Sequence, residues 1–461
     1  MASSAPGDAT QAPFGARAVS PSPSPSPSPP GSCPSPASHL GQQESAQASR
    51  SSSSGWSLES ATTKSSVSKI PGRSNLPAEA ASNPHHIVKR GTVTGFRNPY
   101  PSYSNPIGIR SAMRNIFWPL VRGRIKRPDT SSPSIPVVKP EWLASRTGSD
   151  KLRATWLGHA CYYVEFPSGL RVLFDPVFEK HCSPWAMMGP NRYTPAPCSL
   201  DEVPIVDAIV ISHSHYDHLS HTSVTELQRR HGQAQFFVGL GLERWFRRCG
   251  INNVTELDWW EEAELKVEVE VRGSQGKTRC LTARIECLPS QHTSGRGLLD
   301  HDTTLWCSWA VRSGQRSVWF GGDTGYRAVP PGAASFSPSA SPGSPQVDPD
   351  YYTPELKDLP RCPQFAQIGQ LRGPFDLGLV PIGAYSPRVA FSAMHASPAD
   401  AVEIFRDTRC ERAMGIHWGT WALTLEDITE PPELLKQAME LRDMPATGVF
   451  DVCAIGESRE F

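Results

Sequence analysis

The chain has 461 residues with 45 basic and 45 acidic side chains, so no global field is present that would draw nucleic acid. Its 11 cysteines are odd in number and contain no C-x-x-C pair, which argues against a disulfide framework or a cysteine zinc knot and fits a reducing, intracellular setting. Apolar content is low at 38 % and prolines are many at 45, and both skews come mainly from the N-terminal end.

Met1 to about Pro84 is low-complexity, with an almost perfect Ser-Pro alternation at Ser20–Pro30 and a serine run at Ser51–Ser54. Too little apolar surface is present to offset ordering entropy, so a disordered Ser/Pro-rich region is expected at 1–84. The first residues lack a basic start followed by an apolar stretch, so no secretory signal is expected. They are serine-rich and acid-poor, as transit peptides are, but poor in arginine, which leaves a mitochondrial address open beside a cytoplasmic one.

Residues 85–150 read as a basic entry segment. Within Ile107–Arg127, Ile109, Met113, Ile116, Phe117 and Leu120 form one helical stripe beside Arg110, Arg114, Arg122, Arg124, Lys126 and Arg127. Two readings share that periodicity: a helix lying on an anionic membrane surface, or a stripe packed on the domain core with solvated arginines. No apolar run approaches the roughly 18–20 residues of a spanning helix.

The folded domain is expected from about Lys151 to the end. Two strands around a turn at Pro167–Gly169 come first, the second running into Asp175, and a Pro/Gly-rich loop follows at Val177–Cys198. Ile205–Ile211 is a β-branched apolar run, as of a strand buried on both faces, and it stops at Ser212. His213, His215, Asp217 and His218 follow at once. Imidazole and carboxylate are zinc ligands, and such groups are costly beside a buried strand unless something pairs with them. Helices are expected at Ser223–Arg230 and Leu242–Cys249, strands at Phe236–Gly239 and Asn253–Leu257, and a hairpin at Lys266–Arg272 and Leu281–Cys287. Further strand ends carry His292, Asp323 and His417. A Pro/Ser/Gly-rich insertion is expected at 330–363. A helix at Ser397–Asp407 has Ser397 as its N-cap and Pro398 at its first position.

A strand that ends in a ligand-type residue is therefore the repeated event, and strand ends on one sheet edge converge. The unbroken H-x-H-x-D-H motif at His213–His218 resembles the metallo-β-lactamase superfamily. That resemblance implies an α/β fold, an αββα sandwich. Trp156–Ala160, Leu257–Trp260, Gly322–Tyr326 and Ile416–Thr420 together resemble the N-acylphosphatidylethanolamine-hydrolysing phospholipase D family. The resemblance covers about Arg97 to Arg459 and omits the Ser/Pro-rich head and the 330–363 insertion. It implies two Zn²⁺ ions: one held by His213, His215 and His292, one by Asp217, His218 and His417, with Asp323 bridging. Asp217 and Asp323 would also serve catalysis. His395 would hydrogen-bond or protonate the leaving oxygen, or else only make a helix-entry hydrogen bond. His159 reads as a core or supporting residue, and Asp175 as a carboxylate that orients a ligand histidine. Trp185, Met187, Met188 and Tyr385 are expected to touch substrate, although Met187 and Met188 also suit ordinary core filling.

The expected activity is hydrolysis of N-acylphosphatidylethanolamine to N-acylethanolamine and phosphatidate. The expected partners are a phospholipid and a peripheral membrane surface, and the resemblance also implies a homodimer. Two alternatives stay open: a soluble hydrolase of the same fold acting on a lactone, thioester or other small ester, and a non-catalytic scaffold recruiting partners through its Pro/Ser-rich head.

Overall fold

The computed structural model describes residues 62–72, 75–104, 118, 122–123, 127–131, 135–184, 188–271, 277–297, 299–330 and 357–461. Most of the 107–127 stripe, Trp185, Met187 and most of the 330–363 insertion lie outside them. Among the described residues no helix is long and apolar enough to cross a membrane.

Two large sheets carry the fold. One has seven strands, in the order Ser458–Glu460, Arg153–Gly158, Cys161–Glu165, Arg171–Phe174, Ala208–Val210, Gln235–Gly239 and Val254–Leu257. The other has eight, in the order Thr62–Lys69, Glu262–Glu270, Thr278–Leu288, Ser308–Ser313, Arg316–Phe320, Phe375–Pro381, Cys410–Ile416 and Phe450–Asp451. The period-two alternation of each strand decides which side chain goes where. In the seven-stranded sheet, Trp156, Tyr162, Val172, Phe174, Val210 and Phe237 point into the main core, where they meet Ile285, Trp309, Val318, Phe320 and Leu379 of the other sheet. Phe174 and Phe320 touch across the gap with ring centroids 4.9 Å apart. The alternate positions Leu157, Tyr163, Leu173, Ile209 and Phe236 face outward, where Val224, Leu227 and Phe246 of two short helices cover them. Phe365, Val402 and Phe405 of the helices Gln364–Leu371 and Pro398–Thr408 pack on the eight-stranded sheet. The expected αββα sandwich is present.

The folded body begins earlier than composition suggested. Thr62–Lys69, inside the stretch expected to be disordered, is an edge strand paired antiparallel with Glu262–Glu270. Composition misses it because edge pairing uses backbone groups, and only Val67 and a few neighbours need partial cover. Described residues of the 85–150 segment also join the body, Arg146 among them. Arg146 is buried, and its guanidinium grips the buried Asp207 at 2.7 and 2.9 Å, with Thr62 Oγ1 on the same carboxylate at 2.6 Å. This network ties the edge strand of one sheet to the start of the strand Ala208–Val210 in the other.

Candidate metal centre

Chain direction brings the donors together. Thr278–Leu288 and Arg316–Phe320 each pair antiparallel with Ser308–Ser313, so they run the same way. Phe375–Pro381 and Cys410–Ile416 continue that direction in parallel pairs. His292, Asp323, His395 and His417 follow the carboxyl ends of those strands, and the His213–His218 loop follows Ala208–Val210. Two donor groups result: His213, His215, His292 and Asp323, and beside them His159, Asp217, His218 and His417. In the first, His213 Nε2 is 2.8 Å and His292 Nε2 3.2 Å from His215 Nδ1. In the second, Asp217 Oδ2 lies 3.4 Å from both His218 Nε2 and His417 Nε2. Asp323 stands between them, with Oδ2 at 3.5 Å from His292 Nε2 and 3.2 Å from His218 Nε2, and Oδ1 at 3.0 Å from His417 Nε2.

The arrangement fits a divalent cation and little else. His218 Nε2, His417 Nε2 and Asp323 Oδ1 are buried without an aligned hydrogen bond, although each faces opposite charge. Buried ionisable groups left in that state are costly unless a cation or protons fill the gap. The proton affinities show the demand. Burial alone would pull His417 down, but Asp323 and Asp217 push it up to about 9, and Asp323 and Asp217 likewise hold His218 well above the imidazole range. Burial opposes charge on Asp323 and Asp217, yet His218 and its neighbours keep both well below the carboxylate range. Burial and neighbouring imidazoles keep His213 and His292 well below the imidazole range, which leaves them neutral with lone pairs free to ligate.

Three of the histidines are aimed by a partner behind them, His213 by Ser212 Oγ at 2.9 Å, His218 by Asp175 and His292 by a backbone carbonyl. His218 Nδ1 meets Asp175 Oδ2 at 2.6 Å, and Asp175 also accepts from Ser212 N at 2.7 Å and Ser212 Oγ at 2.5 Å. His292 Nδ1 donates to the Met394 carbonyl at 2.9 Å. His159 Nε2 contacts Asp217 Oδ2 at 3.0 Å, and its backbone carbonyl accepts from His417 N at 3.1 Å. Asp175 therefore stands where the sequence placed it, and His159 supports the donor set from within it. Local backbone strain is present here: His159, Asp175, Ala384 and His417 have φ of 52, 39, 63 and 63°. A left-handed non-glycine residue costs roughly 1–3 kcal/mol and persists where the surroundings over-determine it, as at functional sites. Gly325 is required for close approach, because a Cβ there would lie 2.2 Å from the Ala393 carbonyl oxygen.

His395 reaches the same edge, with Nδ1 4.0 Å from Asp323 Oδ2 and its ring 5.0 Å from that of His292. The substrate contacts expected from sequence are less well placed. Tyr385 is buried, and its hydroxyl donates to Glu430 Oε1 at 2.6 Å. Met188 is exposed, and Trp185 and Met187 lie outside the described residues. A cleft beside His417 is instead lined by Tyr193, Trp418, Trp421, Leu423 and Ile428, with Glu426 among them. Sequence reading missed these residues. Their only signal was the aromatic density after His417. It also missed Asn98, whose side-chain amide donates to the His292 carbonyl at 2.7 Å, and Ser102, whose hydroxyl donates to Gln291 Oε1 at 2.6 Å.

Fold and donor set define a metal-dependent hydrolase of metallo-β-lactamase type. A family model described as beta-lactamase superfamily domain matches residues 170–333 and 350–418. N-acyl-phosphatidylethanolamine-hydrolyzing phospholipase D 1 of Caenorhabditis elegans is 35 % identical over 386 residues, spanning 80 % of this chain and 93 % of that protein. The mitochondrial N-acyl-phosphatidylethanolamine-hydrolyzing phospholipase D of Saccharomyces cerevisiae is 31 % identical over 62 % of this chain and 51 % of its own length. A solved metallo hydrolase of the archaeon Ignicoccus hospitalis aligns with a TM-score of 0.41 at 17 % identity, over 68 % of this chain and 98 % of that one. The chain belongs to the N-acylphosphatidylethanolamine-hydrolysing phospholipase D family of the metallo-β-lactamase superfamily.

Proposed function

We propose that this protein is a dizinc phospholipase D that hydrolyses N-acylphosphatidylethanolamine to N-acylethanolamine and phosphatidate at a membrane surface. The observation that carries the reading is Asp323, one carboxylate held between two donor groups of imidazoles and a second carboxylate. His213, His215 and His292 would hold one ion, Asp217, His218 and His417 the other, and Asp323 both. Imidazole and carboxylate suit zinc. When bound, two such ions supply charge neutralisation for a phosphodiester and a water-derived nucleophile at neutral pH.

The chain's own residues do the rest. Asp175, Ser212 and the Met394 carbonyl keep ligand histidines in the tautomer that presents a lone pair inward. Water adds to phosphorus, the bond from phosphorus to the head-group oxygen breaks, and that oxygen must end protonated. Burial lowers His395 to about 4, so it is neutral at pH 7. Its part is therefore to steady the leaving oxygen through an N–H hydrogen bond. The aromatic cleft beside His417 offers an apolar wall next to the ions, which suits an acylated head group.

The test is incubation of the purified chain with a panel of phospholipids, with products identified by mass. Phosphatidate and N-acylethanolamine are expected, and no phosphatidate from any lipid would remove the phospholipase D assignment. The membrane part rests on the 107–127 stripe and on Trp118, which is exposed. Phe117→Ser with Trp118→Ser should lower vesicle binding by roughly tenfold or more, at about 1.5–3 kcal/mol for each large apolar side chain. A water-soluble diester should be turned over as before. Unchanged vesicle binding would favour a soluble hydrolase. A peripheral location, with a mitochondrial address as one option, and a homodimer belong to this proposal as well.

A further inference from the structure

A second set of metal-type donors meets far along the chain from the catalytic loops. His85 Nε2 lies 2.7 Å from Asp258 Oδ1, and His86 Nε2 lies 3.0 Å from Asp258 Oδ2. The carboxylate is buried, and so is His85, whose ring stacks on Trp259 with centroids 4.2 Å apart. Consecutive side chains of an extended segment leave it on opposite sides. Here two consecutive imidazoles, 4.4 Å apart at 64°, converge on one carboxylate. The turn at Asn83, with φ of 47°, and the left-handed Trp260, with φ of 68°, flank the two segments that make this convergence.

A simple hydrogen-bonded latch would align both N–H groups with the carboxylate, and His85 does so. His86 Nε2 does not: it is buried, close to Asp258 Oδ2, and makes no hydrogen bond. A nitrogen lone pair against a carboxylate oxygen is repulsive unless a cation or proton lies between. The three donor atoms lie within 4.8 Å of one another. Zinc at about 2.0–2.2 Å from each, with tetrahedral angles, would set them roughly 3.3–3.6 Å apart, so the His–Asp contacts of 2.7 and 3.0 Å would open by roughly 0.3–0.9 Å as the ion enters.

We propose that His85, His86 and Asp258 bind a third divalent cation of the zinc class, with water at the fourth position, independently of the catalytic pair. Its role is to pin the segment that runs from His85 to Ser102. That segment touches the catalytic loop at its far end, where Asn98 holds the His292 carbonyl and Ser102 holds Gln291. The ion therefore fixes the position of His292 without touching it.

Metal analysis of the full chain tests this, with each protein dialysed against buffered Zn²⁺ and then Co²⁺. Wild type should hold three ions per chain and His85→Gln/His86→Gln two. His213→Ala/Asp323→Ala/His417→Ala should keep one, with the visible absorption of tetrahedral cobalt. Combining both sets should leave none. His86→Gln alone, the mildest change, should already remove the third ion while circular dichroism stays that of wild type. Two ions in wild type, or an unchanged count in the folded His86→Gln variant, would overturn the proposal and identify the cluster as a hydrogen-bonded latch. Loss of the catalytic pair from wild type with one ion retained would instead overturn the dizinc reading and leave this site standing.

Discussion

Asp175→Asn isolates the support given to one ligand. The carboxylate takes Ser212 N on Oδ1 and both Ser212 Oγ and His218 Nδ1 on Oδ2. Asparagine has the same shape, and its oxygen can keep the Ser212 N bond. Its NH₂ then stands where Oδ2 stood, facing His218 Nδ1 at 2.6 Å. Two donors cannot share that contact, so His218 must move its proton to Nε2. The lone pair aimed at Asp217 and Asp323 is lost, and with it one ligand of the second ion proposed above. Loss of such an orienting partner typically costs 10–100-fold in metal affinity. That corresponds to about 1.4–2.7 kcal/mol. The ion proposed at the His213, His215 and His292 group should be weakened less, because His213 meets Asp175 only through Ser212 Oγ. The assay is titration of the metal-free variant with Co²⁺ against a chelator of known affinity, with urea unfolding of the loaded protein as a check on folding. Two ions bound within twofold of wild-type affinity would refute the tautomer argument. So would equal weakening of both ions in a folded protein.

His395→Ala should lower kcat on the lipid by about 10²–10³, the usual cost of one missing donor to a developing charge, with metal content unchanged. His395→Gln should recover part of this because it keeps an N–H; a glutamine variant no better than alanine would point to proton transfer instead. Arg146→Met strands the buried Asp207 carboxylate and should cost roughly 3–5 kcal/mol in urea unfolding. A loss below about 1 kcal/mol would mean that the network does not hold the edge strand. In the metal-free protein, burial lowers and Asp323 more than restores the proton affinity of His417, which ends at about 9, above the unfolded imidazole value of 6.5. A raised value in the folded state means stability that is fully present below pH 6.5 and lost as pH rises through 9. The melting temperature of the chelated protein should therefore fall over that window while that of the loaded protein does not follow it. A chelated protein with a flat profile would contradict this.

Much of the centre was legible because its chemistry is local. The unbroken His213–His218 motif and the ligand-type residues at strand ends are patterns of residue type and spacing, and the strands that carry them are alternating or continuous apolar runs. Asp175 was legible for the same reason, as a carboxylate at the end of an apolar strand. The start of the folded body was not. Thr62–Lys69 is held by backbone pairing, which leaves no mark on composition, and Arg146 finds Asp207 across 61 positions. Tyr385 sits beside a motif, yet its hydroxyl is spent on Glu430, a partner 45 residues away that no spacing announces.

By itself, then, the sequence determined the donor types at the strand ends, their order and the sandwich of alternating strands, because side-chain chemistry and the two-residue period are properties of neighbours along the chain. Only tertiary structure decided that Asp323 lies between two donor groups, that the aromatic wall belongs to His417, and that His85 and His86 close on Asp258. Each of those is a distance between strand ends or loops far apart in the chain, and such distances are set by how two sheets pack rather than by any stretch within them.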